Sequence, residues 1–212
     1  EDEVSTEEEH DHDHEDEVST EEEHDHDHED EEAHGDEHVW LSLRNAIVVC
    51  GAIADEISVL DAENADVYQE NAENYIALLE ELDGEYVAMV ENAARDTVIF
   101  GDRFPFLYMM SDYGINYYAA FQGCSAETEA SFETIVFLAN KVDELNSNYV
   151  MIIDNGLVEL ATTIADNSQK QDCEILTMNS MQSITKEQMN DGVTYYSVMS
   201  ENLDVLTLAL SE

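Results

Sequence analysis

From residue 97 to the end of the chain, short apolar runs alternate with stretches of helical periodicity. Four of the runs have the length and composition of buried strands: residues 97–100, 116–121, 149–153 and 174–178. Helical patterns lie between and after them, at residues 104–113, 128–145, 158–165 and 195–210. Strands that alternate with helices form a parallel sheet covered by helices. We therefore predict an α/β fold, with a C-terminal lobe at residues 95–212 that holds a parallel sheet of about four strands.

Helical patterns also precede this lobe. Ser42 is the expected N-cap of a first helix, along which Ala46, Val49, Ile53, Ile57 and Leu60 keep helical spacing. A second apolar stripe covers residues 64–94 and predicts a helix of roughly thirty residues, whereas globular helices average about a dozen. Core packing is the simplest use of that stripe. We predict that residues 38–94 form a helical linker built around one long helix.

The first 37 residues contain almost no apolar side chains, and EDEVSTEEEHDHDH occurs twice in tandem, at residues 1–14 and 15–28. Such a segment cannot repay the entropy lost on ordering, so we expect disorder without metal. Imidazoles that alternate with carboxylates suit borderline divalent cations, zinc above all. We interpret residues 1–37 as a metal-collecting tract. Its candidate ligands are His10, His12, His14, His24, His26, His28 and His34.

The charge balance of the chain is strongly acidic. Six Lys and Arg residues stand against 52 Asp and Glu residues, for a formal net charge of −46. This field repels nucleic acid and anionic lipid and attracts cations. We therefore expect no nucleic-acid partner. The alternative interpretation is that the charge only keeps the protein soluble.

Catalytic motifs are missing from the sequence. No histidine follows His38, so neither Ser125 nor Cys124 has a histidine in the folded part to activate it. The three cysteines, Cys50, Cys124 and Cys173, lack metal-site spacing, and no P-loop or dinucleotide-binding glycine pattern occurs. We predict that the protein is not an enzyme.

His38 is the best candidate for a ligand held by folded structure. It stands two residues before Trp40, where the apolar pattern begins, and a rigid site needs ligands on the scaffold. His34 is a weaker candidate, and the alternative is that His38 merely ends the tract. In parallel sheets, ligands bind beyond the carboxyl ends of the strands. The loops after Phe100, Phe121, Ile153 and Met178 are therefore the expected locations of further site residues.

Several segments resemble the solute-binding proteins of zinc- and manganese-uptake ABC transporters. DEHVWLS at residues 36–42, followed by Asn45-Ala46, is similar to the D-P-H-x-W-L-x-P-x-N-A segment of that family, which there follows an acidic, His-rich loop. The resemblance continues in a Y-x-x-N-x-x-x-Y pattern from Tyr68 to Tyr75. It extends over essentially the whole chain after Ala33, through four further segments: residues 100–106, 113–129, 176–183 and 195–210.

The resemblance implies two α/β lobes joined by one long helix, with the metal bound between them. Here it covers the His-rich loop, the linker helices and the C-terminal lobe, and we expect the first lobe upstream of Glu1. It also implies an extracytoplasmic protein at the cell surface or in the periplasm. The partner would be the membrane permease of a metal ABC transporter. Membrane attachment would come only from a lipid anchor outside this chain.

The resemblance also implies a ligand set. His38 matches the histidine of the D-P-H segment, and Asp154 matches a carboxylate that follows a later strand. A further family ligand, His or Glu, falls at Gly101, which has no side chain to coordinate with, and the neighbouring Asp102 is the expected substitute. For both aspartates the alternative is a helix N-cap.

We predict from these features that the protein binds Zn²⁺ and delivers it to an uptake transporter. A zinc buffer or sensor, whose folded domain serves as an interaction platform, is the alternative. Manganese is a possible cargo, because carboxylates in place of histidines favour harder ions.

Overall fold

The computed structural model describes residues 36–123, 129–170 and 172–211. After a 3₁₀ turn at Val39–Leu41, the elements in chain order are α1 (Leu43–Leu60), α2 (Ala65–Asn92), β1 (Thr97–Phe104), α3 (Leu107–Tyr113), β2 (Asn116–Gln122), α4 (Phe132–Glu144), β3 (Tyr149–Ile153), α5 (Val158–Asn167), β4 (Glu174–Met178), α6 (Lys186–Asn190) and α7 (Tyr195–Ser211). None of the helices described is long and apolar enough to cross a bilayer.

The four strands form one parallel sheet in the order β2-β1-β3-β4, which confirms the predicted fold class. Strands β3 and β4 have the predicted bounds, but β1 continues past Phe100 to Phe104. Its pairing with β2 shifts register between Phe100 and Arg103. Asp102 therefore lies inside a strand, and the helix that follows begins at Leu107.

Helices α1 and α2 pack against each other before the sheet begins. Ser42 caps α1 as predicted, because its Oγ accepts the backbone N–H of Asn45 at 3.0 Å. Helix α2 spans 28 residues and continues through Gly84. The predicted apolar stripe of α1 is largely exposed, at Val49, Ile53, Ile57 and Leu60.

The sheet separates two hydrophobic cores. Helices α2, α3 and α7 cover one face, where Phe100, Met151 and Met178 are buried. Helices α4 and α5 cover the other face, over Val150 and Ile152. This alternation of buried residues along β3 is what a strand covered on both faces requires. The carboxyl ends of β3 and β4 lie side by side and form what we call the carboxyl edge of the sheet. The loops at 154–157 and 179–185 emerge from this edge.

Candidate metal site

His38 is almost fully buried, with 1% of the residue exposed, just before the 3₁₀ turn. Leu41, at the end of that turn, is fully buried and anchors the segment in the core. Ser42 fixes it further, since its hydroxyl donates to Asp112 Oδ2 at 2.6 Å while it caps α1. The histidine is therefore held by folded structure, as a rigid metal site requires.

Trp40 connects His38 to the carboxyl edge of the sheet. Its ring packs edge-on against the His38 ring, with 5.3 Å between centroids. Its indole Nε1 donates to the carbonyl oxygen of Ser180, in the loop after β4, at 3.1 Å. Its own carbonyl accepts the hydroxyl of Tyr195 from α7 at 2.8 Å. These bonds bring the segment around His38 to the sheet edge where the sequence predicted ligands.

Asp154 lies at that edge, directly after β3. Its Oδ1 accepts the backbone N–H of Ser180 at 2.5 Å and the Ser180 hydroxyl at 2.7 Å, and its Oδ2 accepts the hydroxyl of Ser183. The alternative helix-cap role is wrong for Asp154, since the N-cap of α5 is Leu157. Ser180 thus contacts both Asp154 and Trp40, and through Trp40 it links the two predicted ligands.

The loop that holds Asp154 is itself pinned to α7. Asn202 is 1% exposed, and its Oδ1 accepts the backbone N–H of Asn179 at 2.8 Å. Its Nδ2 donates to the carbonyl of Asn179 at 2.9 Å. This two-way pairing satisfies a buried amide and orders the residues that follow β4.

Asp102 has an environment that neither interpretation of the sequence anticipated. It is fully buried within β1, and the N-cap of the following helix is Phe106, so the predicted helix-cap alternative is wrong. Its Oδ2 accepts the backbone N–H groups of Ile153 and Leu157, at 3.2 and 3.0 Å. Its Oδ1 accepts its neighbour's backbone N–H at 2.8 Å. Both oxygens are thus engaged by the protein, as they are in Asp154, but Asp102 is fully buried whereas Asp154 is partly exposed. This arrangement favours bracing of the 153–157 loop by Asp102 over coordination of a metal ion.

Gly101, where the resemblance placed a family ligand, faces α5. A Cβ at this position would lie 2.8 Å from the Cα of Ala161 and 3.0 Å from Cγ1 of Val150. Real Cβ atoms do not approach other atoms so closely. The close packing of β1 on α5 therefore requires glycine here, and the position has no room for a ligand side chain.

Among the described residues, one group of three or more potential ligands comes together, namely Asp36, Glu37 and His38. One ligand atom from each lies within 4.8 Å of the others, whereas Asp102 and Asp154 belong to no such group. The sequence interpretation passed over Asp36 and Glu37 as ligands, although both stand next to His38. The sequence did contain a signal for them as ligands, because two carboxylates directly precede His38.

The remaining predicted ligands, His10, His12, His14, His24, His26, His28 and His34, lie outside the described residues, as do Cys124 and Ser125. Their roles stay predictions. Cys50 and Cys173 are free thiols, and burial raises the pKa of each. A raised pKa keeps a thiol protonated at neutral pH, and a protonated thiol is a poor metal ligand.

A long helix followed by an α/β lobe, with a buried histidine near the carboxyl edge of the sheet, is the arrangement that the resemblance to metal-uptake solute-binding proteins implied. The chain belongs to the ZnuA family, zinc-uptake complex component A, periplasmic, whose sequence model matches residues 2–209. The family resemblance seen in the DEHVWLS segment is thereby confirmed. The family is described as a component of a zinc-uptake complex, which agrees with the predicted class of transport component.

Named relatives agree with this assignment. The zinc-binding protein AdcA of Streptococcus pyogenes serotype M3 is 31% identical over 199 residues, which are 94% of this chain and 38% of that protein. The high-affinity zinc uptake system protein ZnuA of Bacillus subtilis is 30% identical over 169 residues, which are 80% of this chain and 51% of that protein. The chain thus spans between about a third and a half of the length of these relatives.

Solved structures share the fold. The Zn(II)-bound ZnuA-like domain of Streptococcus pneumoniae AdcA superposes with a TM-score of 0.69 at 27% identity, covering 86% of this chain and 66% of that one. The metal-dependent lipoprotein YcdH of Bacillus subtilis gives a TM-score of 0.70 at 27% identity, covering 82% and 64%. Each likeness covers about two thirds of the neighbour's chain.

Proposed function

We propose that the protein captures Zn²⁺ outside the cytoplasm and passes it to the membrane permease of a metal-uptake ABC transporter. The observation that carries the proposal is the burial of His38 at 1% exposure, near the carboxyl edge of a parallel sheet. Relatives of similar sequence are named zinc-binding or zinc-uptake proteins, and one solved neighbour is Zn(II)-bound. Capture requires binding and release, with no chemical step.

The chemistry of the candidate ligands supports a divalent cation. An imidazole with nearby carboxylates offers the nitrogen and oxygen donors that zinc takes in proteins. We propose His38 as the central ligand of the folded site. Asp154, which is linked to His38 through Ser180 and Trp40, is the candidate ligand from the C-terminal lobe. Asp102 stabilises the 153–157 loop, which carries Asp154, by accepting the backbone N–H groups of Ile153 and Leu157.

The metal-collecting tract of residues 1–37 has a separate role in this proposal. Its seven histidines collect Zn²⁺ weakly and, by tethering, raise the concentration of the ion near the folded site. A net charge of −46 favours every step that brings a cation to the chain. The protein resides at the cell surface or in the periplasm, with a lipid anchor in the full-length form.

The test separates His38 from the tract histidines by substitution in the full chain. In one variant, all seven histidines of residues 1–35 become Gln. In the second, His38→Ala is added to those seven changes. Calorimetry with Zn²⁺ should find a single tight site in the first variant and none in the second. Equal binding by both variants would remove His38 from the site and favour the buffer or sensor function.

Manganese is the second candidate cargo, favoured by one observation. The proposed ligands of the folded site pair the imidazole of His38 with the carboxylate of Asp154, Gly101 offers no further ligand, and carboxylate oxygen suits harder ions. A competition titration of Zn²⁺ against Mn²⁺ on the seven-substitution variant decides between them. Zinc should displace manganese, and retention of manganese at equal concentrations would identify it as the cargo.

A further inference from the structure

The carboxylate of Asp36 makes two contacts with His38 through one oxygen. Asp36 Oδ1 accepts the backbone N–H of His38 at 2.8 Å and lies 2.8 Å from the ring atom Nδ1. The His38 side chain is 1% exposed and that of Asp36 is 11% exposed. The contact is therefore largely shielded from water. In such shielded surroundings a hydrogen bond to a charged group is stronger than at the protein surface.

The Asp36 contact determines which nitrogen of His38 carries the proton. An ionised carboxylate can only accept hydrogen bonds, so Nδ1 must be the donor. In a neutral imidazole one ring nitrogen carries the proton and the other carries the lone pair. With the proton on Nδ1, the lone pair that a metal ion can use belongs to Nε2.

We propose that Asp36 is a positioning residue, which fixes the ring orientation and tautomer of His38 so that Nε2 coordinates the metal ion. This inference rests on the proposed function of His38. Metal-ligating histidines commonly donate their second ring N–H to a carboxylate, which orients the ring and makes the ligating nitrogen more basic. Asp36 stands in the geometry of such a partner.

The surroundings of the pair favour this role. The His38 ring packs against Trp40, with 5.3 Å between the ring centroids, so the imidazole is held on one face by an aromatic ring. The adjacent Glu37 is exposed, whereas the Asp36 side chain is 11% exposed. Of the two carboxylates next to His38, Asp36 is therefore the one that is shielded with the histidine.

The experiment uses the full chain with the seven histidines of residues 1–35 changed to Gln, which leaves His38 as the only imidazole. Long-range nitrogen–proton NMR of the metal-free protein, labelled with ¹⁵N-histidine, then reports the tautomer of His38 alone. Asp36→Ala removes the acceptor, and Asp36→Asn keeps an acceptor oxygen without the charge. Asp166→Ala, at an exposed position of α5, controls for the loss of one negative charge.

We expect the proton on Nδ1 in the parent, in Asp36→Asn and in the Asp166→Ala control, and a shift toward the Nε2–H form in Asp36→Ala. Zinc affinity should fall about 10- to 100-fold in Asp36→Ala, less in Asp36→Asn and not in the control. Matching thermal midpoints for parent and Asp36→Ala exclude unfolding as the cause.

Three results would overturn the inference: an unprotonated Nδ1 in the parent, an unchanged tautomer in Asp36→Ala, or a changed tautomer without loss of zinc affinity. Weaker binding with an unchanged tautomer falls under the second result and would make Asp36 a direct ligand. The proposed function fails separately, when His38→Ala in the same background leaves zinc binding intact.

Discussion

Asp102 holds Leu157 in place across 55 residues of sequence, because its Oδ2 accepts the Leu157 backbone N–H at 3.0 Å. The same oxygen accepts the N–H of Ile153, and a Cβ on the intervening Gly156 would overlap it. A buried carboxylate on β1 therefore shapes the loop that leads from β3 into α5. Asp154, the candidate ligand of the C-terminal lobe, is carried by that loop.

Replacing Asp102 should destabilise the fold and weaken zinc binding together. In Asp102→Asn the amide group brings donors to a position where three backbone N–H groups require acceptors. Leaving buried donors unsatisfied costs about 1–3 kcal/mol each, so we expect a loss of at least about 1 kcal/mol in the free energy of unfolding. Urea denaturation measures that loss, and calorimetry measures the zinc affinity.

Asp166→Asn, on the exposed surface of α5, is the matched control for the Asp102 variant. It makes the same chemical change and should shift stability by no more than about 0.5 kcal/mol. If the two variants have equal stability, Asp102 does not brace the loop. If stability falls and zinc affinity does not, the loop is braced for folding alone.

Glycine at position 101 should be required for packing. In Gly101→Ala, the new methyl group would meet the Cα and Cβ of Ala161 at 2.8 and 2.9 Å, so β1 and α5 must separate. Overpacking of this kind costs about 1–3 kcal/mol. Urea denaturation of the variant measures this cost. A histidine placed here should likewise fail to add a ligand, because it would force the same separation.

Gly84→Ala provides a control of opposite sign. Gly84 lies inside α2, and a methyl group added there would meet no atom within 4 Å. Alanine should therefore stabilise the helix by about 0.5–1 kcal/mol. The same substitution should thus raise the urea midpoint at position 84 and lower it at position 101. A neutral or stabilising Gly101→Ala would contradict the close approach of β1 and α5.

Particular residues show how far the sequence could predict this structure. The bounds of β3 were correct because Tyr149–Ile153 is an uninterrupted apolar run, and those of β4 because its apolar residues Ile175, Leu176 and Met178 stand between polar segments. The extension of β1 was missed because Gly101-Asp102-Arg103 breaks the apolar pattern. The polar residue at its centre is satisfied by backbone groups of Ile153 and Leu157, and such distant partners leave no local signal in a sequence.

The same limit applies to the apolar stripe of α1 and to the candidate site. Helical spacing of Val49, Ile53 and Ile57 predicted the helix correctly, but periodicity does not say whether a neighbour covers the stripe, and these side chains are exposed. His38 could be singled out because it is the last histidine in the sequence. Its link through Trp40 to Ser180 spans 140 residues and appears only in the fold.

Buried tyrosines should make the protein unstable at alkaline pH. Burial raises the pKa of Tyr86 and of Tyr195, and burial together with a hydrogen bond to Asp83 raises that of Tyr113. The folded state keeps these phenols neutral, whereas in the unfolded chain they ionise near their ordinary value of about 10. Their contribution to stability is therefore complete below about pH 10 and is lost as the pH rises beyond it.

Urea denaturation at about pH 8 and about pH 10.5 measures this alkaline loss. Tyr86→Phe should reduce the difference between the two midpoints, since one ionising group is removed. The variant also loses the hydrogen bond from Tyr86 to the Met199 carbonyl, so only the pH dependence is compared. Equal midpoints at the two pH values would mean that these tyrosines ionise as easily in the folded protein as in the unfolded chain.

Zinc binding at the folded site should change the fluorescence of Trp40, the only tryptophan in the chain. Its ring lies against His38, and its indole N–H is bonded to Ser180, which also holds Asp154. An ion bound near His38 alters the electric field at the indole and the exposure of Trp40, a residue that is 37% exposed. Titration of the variant with seven Gln substitutions should give a saturable emission change, which His38→Ala abolishes. A change that survives His38→Ala, or zinc uptake without any change, would place the ion away from Trp40.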